Sequence, residues 1–126
     1  MNDVTVKRFD ELEGYQAKPD ESKRFLYAGK GLGVTAWGMN VLDFKAGHMD
    51  YPEHDHVKDG QEEVYVVLKG TATLTADGKD ILLEPGMLVR VGPRVRRKIV
   101  PGADGMMILA LGGTPGKAYE RPSWAK

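Results

Sequence analysis

The sequence predicts an all-β domain, a sandwich or barrel of short strands. Three observations carry this. Short runs rich in Val, Leu, Ile, Thr and Tyr recur along the chain. Sixteen glycines and seven prolines punctuate it at close intervals. No long stretch repeats its apolar residues with a 3.6-residue period. At 126 residues the chain fits one domain. That is long enough to bury about two thirds of the surface an unfolded chain exposes.

In chain order the runs are Val4–Phe9, Gly33–Phe44, Glu63–Leu68, Thr71–Ala76, Lys79–Leu83, Leu88–Val91, Val95–Val100 and Met106–Leu111. Turn signals separate them at Lys69-Gly70, Asp77-Gly78, Pro85-Gly86, Gly92-Pro93 and Pro101-Gly102. Only Asp10–Tyr15 reads as a short helical turn. Gly112–Lys126, with Pro115, Gly116 and Pro122, reads as an irregular tail.

Composition removes several function classes. Lys+Arg and Asp+Glu are both 18, so no bulk charge favours nucleic acid or an anionic membrane. Arg94, Arg96, Arg97 and Lys98 cluster in sequence, but a strand divides such residues between two faces. Without cysteine there is no disulfide and no thiolate zinc site. No apolar run is long enough for a membrane helix. The N-terminus MNDVTVKRFDELEG lacks the apolar core of a signal peptide. The default is a soluble cytoplasmic protein with no nucleic-acid partner and no membrane partner. No G-x-S-x-G elbow or phosphate-cradling loop occurs.

The chain has three histidines, and two of them, His54 and His56, are two positions apart. In an extended segment, residues i and i+2 share a face, roughly 6–7 Å apart. Two imidazoles leaning together can share one metal ion. A carboxylate from the next strand completes a 2-His-1-carboxylate face, which leaves coordination positions open for chemistry.

These elements and their order resemble a cupin, a small all-β, double-stranded β-helix (jelly-roll) barrel. The first cupin motif runs from glycine through His-x-His to Glu and a closing Gly. Here it reads GHMDYPEHDHVKDGQEEVYVVLKG, Gly47–Gly70. The resemblance covers about residues 33–112, which become the barrel. Residues 1–32 become an N-terminal strand and turn segment packing on it, and 113–126 a C-terminal tail. It implies His54, His56 and Glu63 as ligands of a divalent ion, Fe, Mn, Ni or Zn. The loop before Glu63 is about two residues longer than usual, so Glu62 is a rival. Glu63 is preferred because it lies seven positions before Gly70, the family's spacing. By alternation Glu63, Tyr65 and Val67 then face the interior.

In the second cupin motif, matched by Val89–Gly102, the usual fourth-ligand His falls on Arg97. Alternation puts Val95, Arg97 and Ile99 on one face. A guanidinium 5 Å from a divalent ion is repelled by roughly 6–7 kcal/mol at an effective dielectric near 20. An inward Arg97 beside a metal therefore calls for a further anion, such as a carboxylate substrate gripped by its planar fork. Otherwise Arg97 turns away, or replaces the metal and pairs with Glu63. Arg97, Tyr65 and His48 are the candidate substrate-binding residues. Packing for Tyr65 and a solvated turn for His48 are the plainer readings. Tyr51 is a further cavity candidate, and Asp55 should point away from the histidines.

Two functions follow. One is a metal-dependent enzyme of the dioxygenase, isomerase or decarboxylase kinds that the resemblance implies. The other is a metal-free, non-catalytic barrel that binds or senses a small, anionic ligand. The resemblance also implies a homodimer.

Overall fold

The computed structural model describes residues 3–15 and 23–125. Met1, Asn2, residues 16–22 and Lys126, parts of the expected N-terminal segment and tail, lie outside the described residues. The strands are β1 (Gly14–Tyr15), β2 (Lys23–Leu26), β3 (Gly38–Phe44), β4 (Glu62–Ala76), β5 (Lys79–Leu83), β6 (Leu88–Val91) and β7 (Arg97–Gly113). All pairings are antiparallel, in the order β1-β2-β3-β7-β4-β5, with β6 also paired to β4.

Strands β4 and β7 organise the molecule. The sequence predicts two strands in each place, broken at Lys69-Gly70 and Pro101-Gly102. The structure instead has continuous strands of 15 and 17 residues. The turn residues bend these strands without ending them. Register shifts fall between Val67 and Lys69 and between Gly70 and Ala72, the signature of bulges. Gly70 has φ 68°, and a Cβ there would strike the Gly105 carbonyl. Only glycine satisfies both constraints. Pro101 pairs with Ala72 beside the bend, where a missing N–H is tolerated.

The bend redistributes partners. Before it, Glu63–Val66 of β4 pair with β6; after it, Ala72–Ala76 pair with β5. The inner faces of both halves close on one core that includes Leu42, Phe44, Val67, Leu74, Leu83, Ile99 and Ile108, each 2% exposed or less. Each such side chain contributes roughly 1.5–3 kcal/mol by leaving water. The tight link from β4 to β5 is Asp77-Gly78, with φ 48° and 80°, the left-handed pair of a hairpin turn that matches strand twist.

Around the N-terminal segment the outcome differs from expectation. Val4–Phe9 is not a strand; Val4 and Val6 are 55% and 82% exposed. Apolar alternation there has no partner strand to satisfy. The expected helical turn appears as a single 3-10 turn at Phe9–Glu11, and β1 follows. Gly33–Phe44 is a strand only from Gly38. Before it lies a short helix, α1 (Ala28–Leu32), closed by Gly33 in the left-handed conformation. Together with Leu26, Ala28 covers Val41 on the outer face of β3.

Candidate metal centre

The segment between β3 and β4 has no regular strand, yet it holds His54 and His56 as a strand would. His54 N donates to Arg97 O at 2.9 Å, and Arg97 N donates back to His54 O at 2.8 Å. His56 N donates to Pro93 O at 2.9 Å. Lys98 Nζ staples the same segment through Met49 O (2.7 Å) and Tyr51 O (3.0 Å). The two imidazole centroids end 5.1 Å apart. Asp55, between them, turns toward Arg96 and accepts from Val57 N, as alternation expects.

Glu63 comes from β4, on the face it shares with buried Tyr65 and Val67. Its Oε1 is 3.7 Å from His54 Nε2 and 3.2 Å from His56 Nε2. Donor atoms of all three residues lie within 4.8 Å of one another. Glu62 faces the other way and is held by Arg90 at 2.8 Å and 3.0 Å.

The remaining ring nitrogens explain the orientation. His54 Nδ1 donates to Pro52 O at 3.0 Å, which leaves Nε2 as the lone-pair nitrogen toward Glu63. His56 Nδ1 donates to the Asp59 carboxylate at 3.1 and 3.2 Å. His56 Nε2 is buried and faces Glu63 Oε1 at 3.2 Å. Fixing the far nitrogen on a carbonyl or carboxylate is how ligating histidines are oriented. The donor set therefore fits a divalent ion. Asp59 is a functional residue that the sequence argument misses. Its position three residues after His56, just before Gly60, was the available signal.

Electrostatically the centre is a compact network. Burial alone would raise the Glu63 carboxyl. The polar contacts of His54 and His56, the hydrogen bond from Tyr65 and the His56 charge outweigh it and hold that carboxyl well below the usual range. The neighbouring Glu63 carboxylate raises the His56 imidazole, burial opposes this, and Asp59 adds to the rise. Tyr65 is 1% exposed, and its hydroxyl donates to Glu63 Oε1 at 2.8 Å. Burial, reinforced by the Glu63 charge, pushes the phenols of Tyr51 and Tyr65 far up, so both stay protonated.

Arg97 points inward and is fully buried, with Nη2 3.7 Å from Glu63 Oε1. The same nitrogen donates to Gly92 O at 3.2 Å and reaches Val91 O at 3.5 Å. Its Nε and Nη1 have no hydrogen-bond partner. So Arg97 pairs with His54 through its backbone and braces the Gly92-Pro93 turn that holds His56. The four-residue basic cluster is dispersed: Arg97 is buried, Arg96 pairs with Glu53 at 3.3 Å, and Lys98 is spent on carbonyls.

A cavity of about 710 Å³ opens beside the centre, and His54, His56 and Glu63 form part of its wall. Tyr51 lines it, whereas Tyr65, Arg97 and His48 are not among its lining residues. His48 is 5% exposed and packs edge-on against Phe44, centroids 5.0 Å apart. No Lys or Arg lines the cavity among the described residues. Aromatic side chains from β1, β2 and the tail complete the wall. They lie far from the histidines in sequence, and no local pattern marks them.

The family model for the cupin domain matches residues 40–111, more than half of the chain. This protein belongs to the cupin domain family. Its fold agrees with solved cupin structures. A sugar phosphate isomerase of the cupin superfamily from Silicibacter pomeroyi has 21% identity and a TM-score of 0.70, covering 86% of this chain and 75% of its own. A predicted oxalate decarboxylase from Thermotoga maritima has 17% identity and a TM-score of 0.69, covering 86% and 97%. A cupin 2 conserved barrel protein from Salinispora arenicola has 18% identity and a TM-score of 0.69, covering 89% and 90%. These likenesses establish the fold. No curated protein matches the sequence. Among the described residues, no helix is long and apolar enough to cross a membrane.

Proposed function

We propose that this cupin is a metal-dependent protein acting on a small molecule, with His54, His56 and Glu63 holding one divalent ion of the Fe, Mn, Ni or Zn group. The observation that carries this is the orientation of the imidazoles. Each has its Nδ1 fixed by protein, and both Nε2 atoms converge on Glu63 Oε1, at 3.7 Å from His54 and 3.2 Å from His56. Such an ion supplies Lewis-acid or redox chemistry toward a ligand oxygen. The chain's own residues do the rest. Pro52 O and Asp59 hold the imidazole tautomers. The Tyr65 hydroxyl steadies the Glu63 carboxylate. Arg97 supplies a fixed positive charge and braces the turn at Gly92. Isomerase or decarboxylase activity, borne in name by similar structures, is part of this reading, as is dioxygenase activity. So is a homodimer, since edge strand β5 exposes Ile81 and Leu82; light scattering on the purified protein tests it.

The test is metal analysis by mass spectrometry on untagged, chelator-free protein beside the His54→Ala/His56→Ala variant. Near one ion per chain, lost in the variant, supports the proposal. Full stoichiometry in the variant sinks the site assignment.

One observation favours a second reading. Arg97 Nη2 lies 3.7 Å from Glu63 Oε1, so the guanidinium already neutralises the carboxylate. In this reading the barrel is metal-free and binds its ligand without catalysis. Protein that stays empty after reconstitution with Fe(II), Mn(II), Ni(II) and Zn(II) would select it.

A further inference from the structure

We propose that the cavity binds a planar aromatic molecule, held between the rings at its mouth, with its oxygen substituents turned toward His54, His56 and Glu63. The oxygen end of this inference rests on the metal reading above; the ring end does not.

The cavity wall is unusually aromatic. The chain has two Trp, five Tyr and three Phe, and six of these ten side chains line this one cavity. They are Tyr15, Phe25, Tyr27, Tyr51, Tyr119 and Trp124. The rings form a continuous line. Trp124 meets Phe25 edge-on at 5.7 Å. Phe25 lies nearly parallel to Tyr51, at 24° and 6.3 Å. Tyr51 meets the His54 imidazole at 5.9 Å. A flat ligand following this line makes stacked or edge contacts until it reaches the histidines. Two rings of the wall are left to solvent, Trp124 at 60% and Tyr15 at 50% exposure. Large aromatic surfaces left open around a cavity are what an apolar ligand would cover.

Charge narrows the class further. Among the described residues, the wall's ionic groups besides the histidines are the carboxylates of Asp59 and Glu63. A phosphate would find no Lys or Arg among the described residues of this wall. Lys30 and Arg121 border a separate small recess beside Trp124; Lys30 pairs with Glu13 at 3.1 Å, and Arg121 donates to Val34 O at 2.7 Å. Asn40 and Gln61 give the wall amide groups for a polar substituent. A volume of about 710 Å³ suits a molecule of two or three fused or linked rings.

The experiment is calorimetric titration of full-length protein, metal-loaded and metal-stripped, with three probes: 2,3-dihydroxynaphthalene, 2-methylnaphthalene and glucose 6-phosphate. Metal content is measured separately on each sample. The expected result is binding of both naphthalenes, with the dihydroxy compound tighter only when metal is present. Trp124→Ala and Tyr15→Ala, both on exposed rings, should each weaken naphthalene binding about tenfold, with circular dichroism unchanged. If the protein takes no metal but binds both naphthalenes equally, with the same dependence on Trp124, the ring inference stands and the metal reading falls. If metal is bound but the naphthalenes do not bind, or bind independently of Trp124 and Tyr15, the ring inference falls and the metal reading stands. Tighter binding of glucose 6-phosphate than of either naphthalene would also overturn it.

Discussion

The two halves of β4 and β7 run through one core yet differ in kind. Past the bend, Leu74 and Ile99 are opposite partners, with Leu83 nearby, all at 0–1% exposure and all apolar. Before it, Glu63 and Tyr65 of β4 meet His54 and His56, with the imidazoles and the carboxylate 14–26% exposed, and Arg97 reaches them from the apolar half of β7. The half past the bend, the apolar floor, is held by area removed from water. The centre is held by matched charge, because each group there is costly to bury alone. Alternation sets both halves, but only the first is indifferent to which apolar residue alternates.

That difference can be broken from either side. The largest effect should come from Glu63→Ala. It leaves the fully buried Arg97 guanidinium without its carboxylate, and an unpaired buried charge costs about 3–5 kcal/mol. Denaturant unfolding of metal-free protein at pH 7 measures it. Combining Glu63→Gln with Arg97→Met should recover most of that loss, since a neutral pair of similar size removes the desolvation penalty as well. A Glu63→Ala protein within 0.5 kcal/mol of wild type would mean the guanidinium does not depend on the carboxylate.

From the apolar side, Leu74→Ala should cost about 2–5 kcal/mol, as large-to-small changes at fully buried positions do. The folded fraction should keep its metal stoichiometry. Loss of metal from folded Leu74→Ala protein would show that floor and centre are coupled.

How much of this was legible depends on range. His54, His56 and Glu63 declare themselves because a two-residue spacing and one alternating strand place them. The inward face of Val95, Arg97 and Ile99 follows the same rule, and the structure buries Arg97 and Ile99 as it requires. What the chain concealed is where turn residues bend a strand without ending it. Gly70 and Pro101 look like stops, and only the pairing of β4 with β7 across both shows otherwise. Tyr65 was read toward the ligand, but its hydroxyl is taken by Glu63, while Tyr51 reaches the cavity. Phe25 and Trp124 are nearly 100 positions apart, and nothing local says that they touch.

A smaller effect separates the ligands from what orients them. Asp59→Ala removes the carboxylate on His56 Nδ1 and keeps all three donors. Metal affinity should fall about 10–100-fold, the usual cost of losing such a partner. Competition with a metal-binding dye measures it. Asp55→Ala, whose carboxylate faces Arg96, should leave affinity unchanged. Equal losses in the two variants would mean that loop charge, and not orientation, is at work.

The smallest effect is a proton. In the metal-free centre Glu63 raises the His56 imidazole, with burial opposing it and Asp59 adding to it. A raised His stabilises the fold below its unfolded value of about 6.5 and loses that contribution as pH climbs through the folded value. Glu63 has the opposite sign: its lowered carboxyl contributes above the unfolded value of about 4.3 and loses this as pH falls through the folded one. The metal-free network should therefore add most stability between roughly pH 4.5 and 6.5. A metal ion needs the lone pair of His56 Nε2, so binding below the folded His56 value must release up to about one proton per ion. Calorimetry at pH 6.5 in two buffers of different ionisation enthalpy reads that proton directly. Identical heats in both buffers would mean that His56 is already neutral at that pH and that Glu63 does not raise it.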